Sequence, residues 1–431
     1  MTVGTELRMT RLGDLIAIKH GFAFLGEHFG DFGSHVVLTP GNFLEEGGFI
    51  SKAGKEKWYR GPVPSEYVLR TGDLLVAMTE QAEGLLGSSL LVPEDDRYLH
   101  NQRLGLVQVR DPHRTDTRFL YYLFNHRPIR QQIRGSASGT KIRHTSPSRI
   151  ADVKALVPQV AVQRRIASIL AAYDTLIENC QRRIRILEDM ARGLYREWFV
   201  HFRFPGADAL PRVDSPLGPI PQGWDVRKLA EVAVVNRAQI GPRNAPPEID
   251  YIDIASVSPG RIDAVTRYAF DKAPGRARRI VQHGDVLWSC VRPNRRSHAI
   301  AMHPSETTVA STGFAVLRAQ ALSYAYLYFA TTTEDFVAYL TNHATGAAYP
   351  AVTAKTFEDA PLLVAPKAIA DTFARFAEPL MEQAHTLSQK ISNLRRTRDL
   401  LLPRLLSGQI TLTSAEPDPA SAHAAGMSAL V

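Results

Sequence analysis

The side chains with the clearest chemistry in this sequence are cations set among small hydroxylated residues. Between Thr117 and Ala151 lie seven arginines and lysines and no acid. Six candidates come from the stretch RGSASGTKIRHTSPSR: Arg134, Thr140, Lys141, Arg143, His144 and Arg149. A second stretch, SCVRPNRRSH, follows the apolar run DVLW and offers Arg292, Asn294, Arg295, Arg296 and His298. Small residues let a backbone approach a phosphate, and amides and hydroxyls bind it. Arginine can pair bidentately with guanine O6 and N7, and asparagine with adenine. Each stretch can therefore be read as a contact with double-stranded DNA. Either one alone can equally be a solvated loop whose charge keeps the chain soluble. Their occurrence in both halves of the chain favours DNA, without separating residues that read bases from those that hold phosphates.

Catalytic signatures are missing from the sequence. It contains no G-x-x-x-x-G-K-[ST] phosphate loop, no G-x-G-x-x-G, no H-E-x-x-H, no C-x-x-C and no G-x-S-x-G elbow. NAPPEID has a superficial likeness to the Asn-Pro-Pro-Tyr loop of amino-methyltransferases, but Ala245 interrupts it and no aromatic follows. The expectation is a non-catalytic binding module with no metal and no cofactor of its own.

Two long helical segments are placed to position these loops. From Val162 to Phe199, apolar residues recur in steps of four and three: Ile166, Leu170, Tyr173, Ile177, Cys180, Ile184, Leu187, Ala191, Leu194 and Trp198. That is the seam of a coiled coil, and the stretch would make a rod of about 57 Å at 1.5 Å per residue. Every seam position has a counterpart 207 residues later, from Phe373 through Ala377, Leu380, Ala384, Leu387, Ile391, Leu394, Arg398 and Leu401 to Leu405. Pro379 and Pro403 are each expected to kink the second rod or end a turn of it. Two unrelated amphipathic helices, each packed on its own domain, are the blander alternative.

The shift extends beyond the rods, as an internal repeat requires. RLGDLIAI matches KLAEVAVV, LRTGDLLVAM matches VQHGDVLWSC, FLYYLF matches YAYLYF, ASGT matches ATGA and ALVP matches LVAP, in the same order in both halves. The expected architecture is α+β: two repeated globular units with mostly antiparallel sheets, separated by two long antiparallel coiled-coil helices. The boundaries expected are 1–158 for the first unit, 159–204 for the central helix, 205–365 for a linker and second unit, 366–411 for the C-terminal helix, and 412–431 for a disordered tail. Composition agrees with a globular chain, at 45% hydrophobic and 22% charged. The formal charge of +8 weakly favours a polyanionic partner. Two distant cysteines, no apolar leader and no membrane-length apolar run lead to the expectation of a cytoplasmic protein with no membrane partner.

LVPQVAVQRRIASILAAYDTLIENCQRRIRILEDMARGLYREWFVHFRFPG resembles the central segment of type I restriction-modification specificity (S) subunits. Pro158, Gln163, Ile166, Ala167, Leu170, Leu187, Glu188, Ala191, Leu194, Trp198, Phe199, Val200 and Phe202 fit that pattern, and Val162 stands where the family often has Glu. GPIPQGWDVRKLAEVAVV resembles the family's entry into a target recognition domain. The C-terminal rod departs from the pattern, because KAIADTFARFAEPL lacks the Gln-x-x-Ile start.

The resemblance implies that each globular unit reads one half of a bipartite, asymmetric DNA target. It implies that the helices set the spacer and dock two methyltransferase (M) subunits, which bring S-adenosylmethionine and adenine-N6 methylation. Restriction (R) subunits would add ATP- and magnesium-dependent cleavage. The residues assigned to helix pairing or subunit docking are Ile166, Leu170, Ile177, Leu187, Leu194, Trp198, Phe373, Leu387, Leu394 and Leu401. Competing readings are a coiled-coil scaffold with protein-binding domains and a stand-alone DNA endonuclease.

Overall fold

The computed structural model describes residues 7–52, 54–80, 84–139, 142–407, 409, 410 and 412. Thr140, Lys141 and, apart from Leu412, the tail expected over 412–431 lie outside the described residues. The chain divides into two compact units, Met1–Glu178 with Ser392–Val431 and Asn179–Ile391. Both divisions fall inside the long helices, so each unit contains part of both helices, and the rods are not domains in their own right.

In the first unit, one sheet is fully antiparallel, in the order Ile16–His20, Leu104–Val109, Leu74–Ala77, Ser89–Leu91. A second runs Phe29–Gly30, Trp58–Tyr59, His35–Val37, Tyr98–Leu99, with its last pair parallel. In the second unit, the antiparallel sheet is Ala233–Val235, Phe314–Ala319, Val286–Ser289, His298–Ile300. Its companion is Thr266–Ala269, Glu248–Ile252, Thr308–Ser311, Ala277–Ile280, with Glu248–Ile252 and Thr308–Ser311 parallel. The antiparallel sheets repeat in strand order, and the companion sheets share a three-strand run whose second pair is parallel, Trp58–Tyr59, His35–Val37, Tyr98–Leu99 in the first and Thr266–Ala269, Glu248–Ile252, Thr308–Ser311 in the second. Phe29–Gly30 is added at one edge of the first and Ala277–Ile280 at the opposite edge of the second. Each unit also closes on itself. Arg8–Arg11 pairs with Lys154–Val157 in the first, and Asp225–Lys228 pairs with Pro361–Val364 in the second.

The Gly-Asp turn shared by the repeats has a clear physical cause. Gly72 and Gly284 have φ of +85° and +80°, a region that side chains with a Cβ rarely enter. The following aspartate caps the turn. Asp73 accepts the Arg70 backbone N–H at 2.8 Å and Asp285 that of Gln282 at 2.7 Å. The strands beyond, Leu74–Ala77 and Val286–Ser289, are buried at every position, which is why they read as apolar runs without alternation. In the second unit, fully buried Asp285 also takes a bidentate contact from Arg318, at 2.7 and 2.6 Å.

The helices run from Val160 to Tyr195 and from Lys367 to Leu406. None of the ten seam positions in either helix is exposed. In the first unit, Ile166 and Leu170 share a core with Leu405 and Leu406, while Asp174 accepts a hydrogen bond from Arg398 Nη1 at 2.6 Å. Partner numbers fall as helix numbers rise, so the segments in that unit are antiparallel. In the second unit, Phe373 packs against Tyr195, Trp198 and Phe199, with ring centroids 5.7, 6.4 and 5.1 Å away. A π-helical turn over Arg196–Val200 turns Trp198 and Phe199 into that core together. The second helix continues through both Pro379 and Pro403, so neither ends it, which leaves a kink as the remaining expected effect. Among the described residues no helix is long and apolar enough to cross a membrane.

Candidate nucleic-acid interface

Each unit carries a short hairpin at the equivalent place in its fold. In the first it closes on a bridge between Ser138 and His144, and in the second on one between Thr345 and Ala351. Gly139 and Gly346 provide the positive φ, +98° and +103°. These are the glycines of the repeated ASGT and ATGA. The hairpins dock alongside the buried strand of the Gly-Asp motif: Arg143–His144 pairs with Thr79–Glu80, and Ala351 bridges Val291.

The second unit shows the fuller surface. Pro293–Arg295 forms a single 3-10 turn flanked by Arg292 and Arg296, both left-handed at φ +53° and +56°. Such a conformation costs a non-glycine residue roughly 1–2 kcal/mol, and strained backbone of this kind concentrates at functional sites. The turn is tied to the hairpin. The Arg292 backbone N–H donates to Pro350 O at 2.7 Å and its Nη2 to Ala348 O at 3.2 Å. The Arg292 guanidinium lies 4.6 Å from the centroid of the Tyr349 ring, which is 69% exposed. At the apex, Asn294 and Arg295 are exposed. Tyr349 was not among the residues picked from sequence, although the repeated ATGA marked its hairpin. An aromatic face beside a guanidinium is a platform on which a base can stack.

Two residues of this stretch depart from expectation. Arg296 Nη1 donates to Glu334 Oε1 at 2.6 Å, and a second contact joins Nη2 to Oε2. This pairing raises the Arg296 pKa and lowers that of Glu334. His298 does not face solvent at all. It is 5% exposed, packed 4.7 Å from the Trp288 ring and 5.9 Å from Tyr328, with Nδ1 unpartnered. It starts the strand His298–Ile300, and its side chain falls on the inner face there. Burial, then the charges of Arg192 and Arg296, push its pKa down to about 4. A neutral imidazole inside a core cannot contact DNA, so His298 leaves the candidate set.

In the first unit, Arg143, His144 and Arg149 are exposed, and Arg149 Nη1 donates to Ser138 Oγ at 3.0 Å across the base of the hairpin. Arg134 is half-buried, 3.9 Å from Oε1 of buried Glu80, whose other oxygen accepts the Gly84 and Leu86 backbone N–H groups. Its neighbour Arg130 is spent on structure, donating to the Leu86, Glu45 and Gly84 carbonyls, and burial lowers its pKa to about 10. The described cations of the run are therefore divided: Arg130 and Arg134 brace a loop, while Arg118, Arg127, Arg143 and Arg149 face solvent.

The ten residues assigned to pairing or docking are all seam residues: Ile166, Leu170, Ile177, Trp198, Phe373 and Leu387 are buried, and Leu187, Leu194, Leu394 and Leu401 half-buried. The apolar side chains left exposed on the helices are others: Leu176 and Leu400 in the first unit, Ile186, Met190 and Phe376 in the second.

With this geometry in place, comparison with known proteins identifies the class. Residues 5–188 match the type I restriction modification DNA specificity domain. The MjaIX type I restriction enzyme specificity subunit of Methanocaldococcus jannaschii is 21% identical over 301 residues, 68% of each chain. The MjaVIII specificity subunit of the same organism is 29% identical over 112 residues, 26% of each chain. In fold, the chain is similar to the type I restriction-modification S subunit of M. genitalium, with a TM-score of 0.58 at 15% identity, covering 94% of this chain and 98% of that one. In sequence the chain is similar to type I restriction-modification specificity subunits, and over residues 5–188 it matches their DNA specificity domain.

Proposed function

We propose that each compact unit reads one half of a bipartite, asymmetric double-stranded DNA target. The observation that carries this is the duplicated hairpin, flanked in the second unit by the strained Arg292–Arg296 turn with exposed Asn294, Arg295 and Tyr349. The exposed surfaces differ between the units, with Arg143, His144 and Arg149 in one and Asn294, Arg295 and Tyr349 in the other, so the half-sites differ too. The seam-paired helices set the unspecified spacer. Major grooves on one face of DNA recur about every 34 Å, so two rigidly held readers select one half-site separation.

In this reading the chain itself neither methylates nor cuts, and it works in the cytoplasm. Two M subunits dock on the exposed apolar side chains Leu176, Ile186, Met190, Phe376 and Leu400. They supply S-adenosylmethionine and the pocket for a flipped adenine. R subunits supply the ATP- and magnesium-dependent steps.

Methylome sequencing of a host with and without this chain tests the reading. The expected result is one bipartite methyladenine motif that vanishes with the chain. An unchanged methylome in a host that expresses the M subunits refutes it, as does methyl transfer by the purified chain alone.

A further inference from the structure

The structure assigns a second kind of site to the second unit: we propose that His283, His303 and Glu382, with His385, bind one divalent transition-metal ion of the zinc class. The site is independent of the DNA reading. The group comes from three separate places in the fold. His283 lies in the Gly-Asp turn ahead of Val286–Ser289, and His303 follows the strand His298–Ile300. Glu382 and His385 are one helical turn apart on the helix Lys367–Leu406.

One donor atom from each of His283, His303 and Glu382 lies within 4.8 Å of the others. Nε2 of His303 is 2.7 Å from Glu382 Oε2, and Nε2 of His283 is 3.6 Å from Oε1. The two imidazoles lie nearly face to face, with centroids 4.3 Å apart and 35° between planes. The His385 ring centroid is 5.4 Å from that of His303. The Tyr324 hydroxyl donates to Glu382 Oε1 at 3.5 Å, the kind of outer contact that orients a ligating carboxylate.

Hydrogen-bonded surface pairs of His and Glu are common, and one such pair would mean nothing. Here two imidazole nitrogens converge on one carboxylate, with a third imidazole beside it. Two imidazoles and a carboxylate are a zinc ligand set, with Zn–N of about 2.0–2.1 Å and Zn–O of about 2.0–2.2 Å. Tetrahedral ligands at those lengths stand about 3.4 Å apart, so the trio needs to contract by at most about 1.4 Å. Loading carries one structural requirement. His283 Nδ1 accepts the His303 backbone N–H at 3.3 Å. A metal on Nε2 moves the imidazole proton to Nδ1, so this long bond must yield. His303 itself has φ +47°, a strained backbone at the point where the contraction falls. A bound ion would cross-link the edge of the antiparallel sheet to the long helix within this unit.

The test uses the untagged full chain, stripped with chelator and dialysed, then titrated with Co²⁺ followed by visible d–d absorption and with Zn²⁺ followed by calorimetry. The expected result is one ion per chain, with Zn²⁺ displacing Co²⁺. At free Zn²⁺ 100-fold above Kd, the folded-to-unfolded ratio should rise about 100-fold. His303→Ala and Glu382→Gln should each weaken binding at least 100-fold, while His113→Ala, an exposed histidine of the first unit, should leave it unchanged. Apo unfolding curves report whether each variant folds, and His283→Gln substitutes for one that does not. Sub-stoichiometric or unsaturable uptake by the wild-type chain, or equal titration of wild type and ligand variants, overturns the proposal.

Discussion

Arg295→Ala is expected to remove about one phosphate neutralisation or one base contact, and the structure says how it should differ from its neighbour. Arg295 is exposed at the apex of the strained turn, and among the described residues no acid pairs with it. Arg296, one residue on, is already held by Glu334. An unpaired arginine on a phosphate contributes about 0.9 to the slope of log affinity against log salt, so between 50 and 200 mM salt it accounts for about a 3.5-fold change. Should Arg295 instead pair bidentately with a guanine, its loss costs about 1–3 kcal/mol, roughly 5- to 150-fold in affinity, with discrimination lost at one base pair. Arg296→Ala should do less, because binding DNA first requires breaking the pair with Glu334. Glu334→Gln should tighten binding by freeing that charge. The assay is fluorescence anisotropy of the assembled methyltransferase complex on a duplex carrying the methylated motif, across that salt range, with a duplex altered in the other half-site as control. Parallel salt lines and equal affinities for wild type and Arg295→Ala would show that this turn does not face DNA.

Phe373 is fully buried against five aromatic rings, so Phe373→Ala should cost about 3–5 kcal/mol, read by urea denaturation; a loss below about 1 kcal/mol would contradict the packing described for the second unit. His100 and His298 are both buried with pKa values pushed down to about 4, so the unfolded chain takes up their protons first, near pH 6.5. Stability should therefore fall as pH drops from about 6.5 towards 4, and His298→Phe should flatten that slope in pH-dependent chemical denaturation. Gly284→Val should destabilise the second unit, because φ is +80° and a Cβ would stand 2.8 Å from Tyr324 Cβ; hydrogen exchange should show the loss in strands around Val286–Ser289, and unchanged protection there would refute it.

What the sequence made legible follows from the range of the forces involved. The seam is local: heptad spacing fixes which side of a helix is apolar, and all its positions are buried or half-buried. The Gly-Asp turns and hairpin glycines are local too, since a positive φ writes itself into a single residue. The fates of individual cations were not legible. Arg296 is neutralised by Glu334, 38 residues away, and Arg130 is consumed by a carbonyl 85 residues away. His298 looked like part of a basic loop because its burial depends on pairing with Val286–Ser289 and on the Trp288 ring. Tyr349 was passed over because one exposed aromatic means little until the fold sets Arg292 beside it. Pro379 and Pro403 carry a strong local penalty, yet the helix runs through both, as tertiary packing along its seam outweighs propensity.

Each globular unit begins and finishes on neighbouring strands, Arg8–Arg11 beside Lys154–Val157 and Asp225–Lys228 beside Pro361–Val364. A module whose entry and exit already touch can be replaced by any other of like closure without asking its surroundings to stretch. Genetic exchange between relatives could thus install a new specificity in one step, leaving the helical framework and whatever binds it untouched.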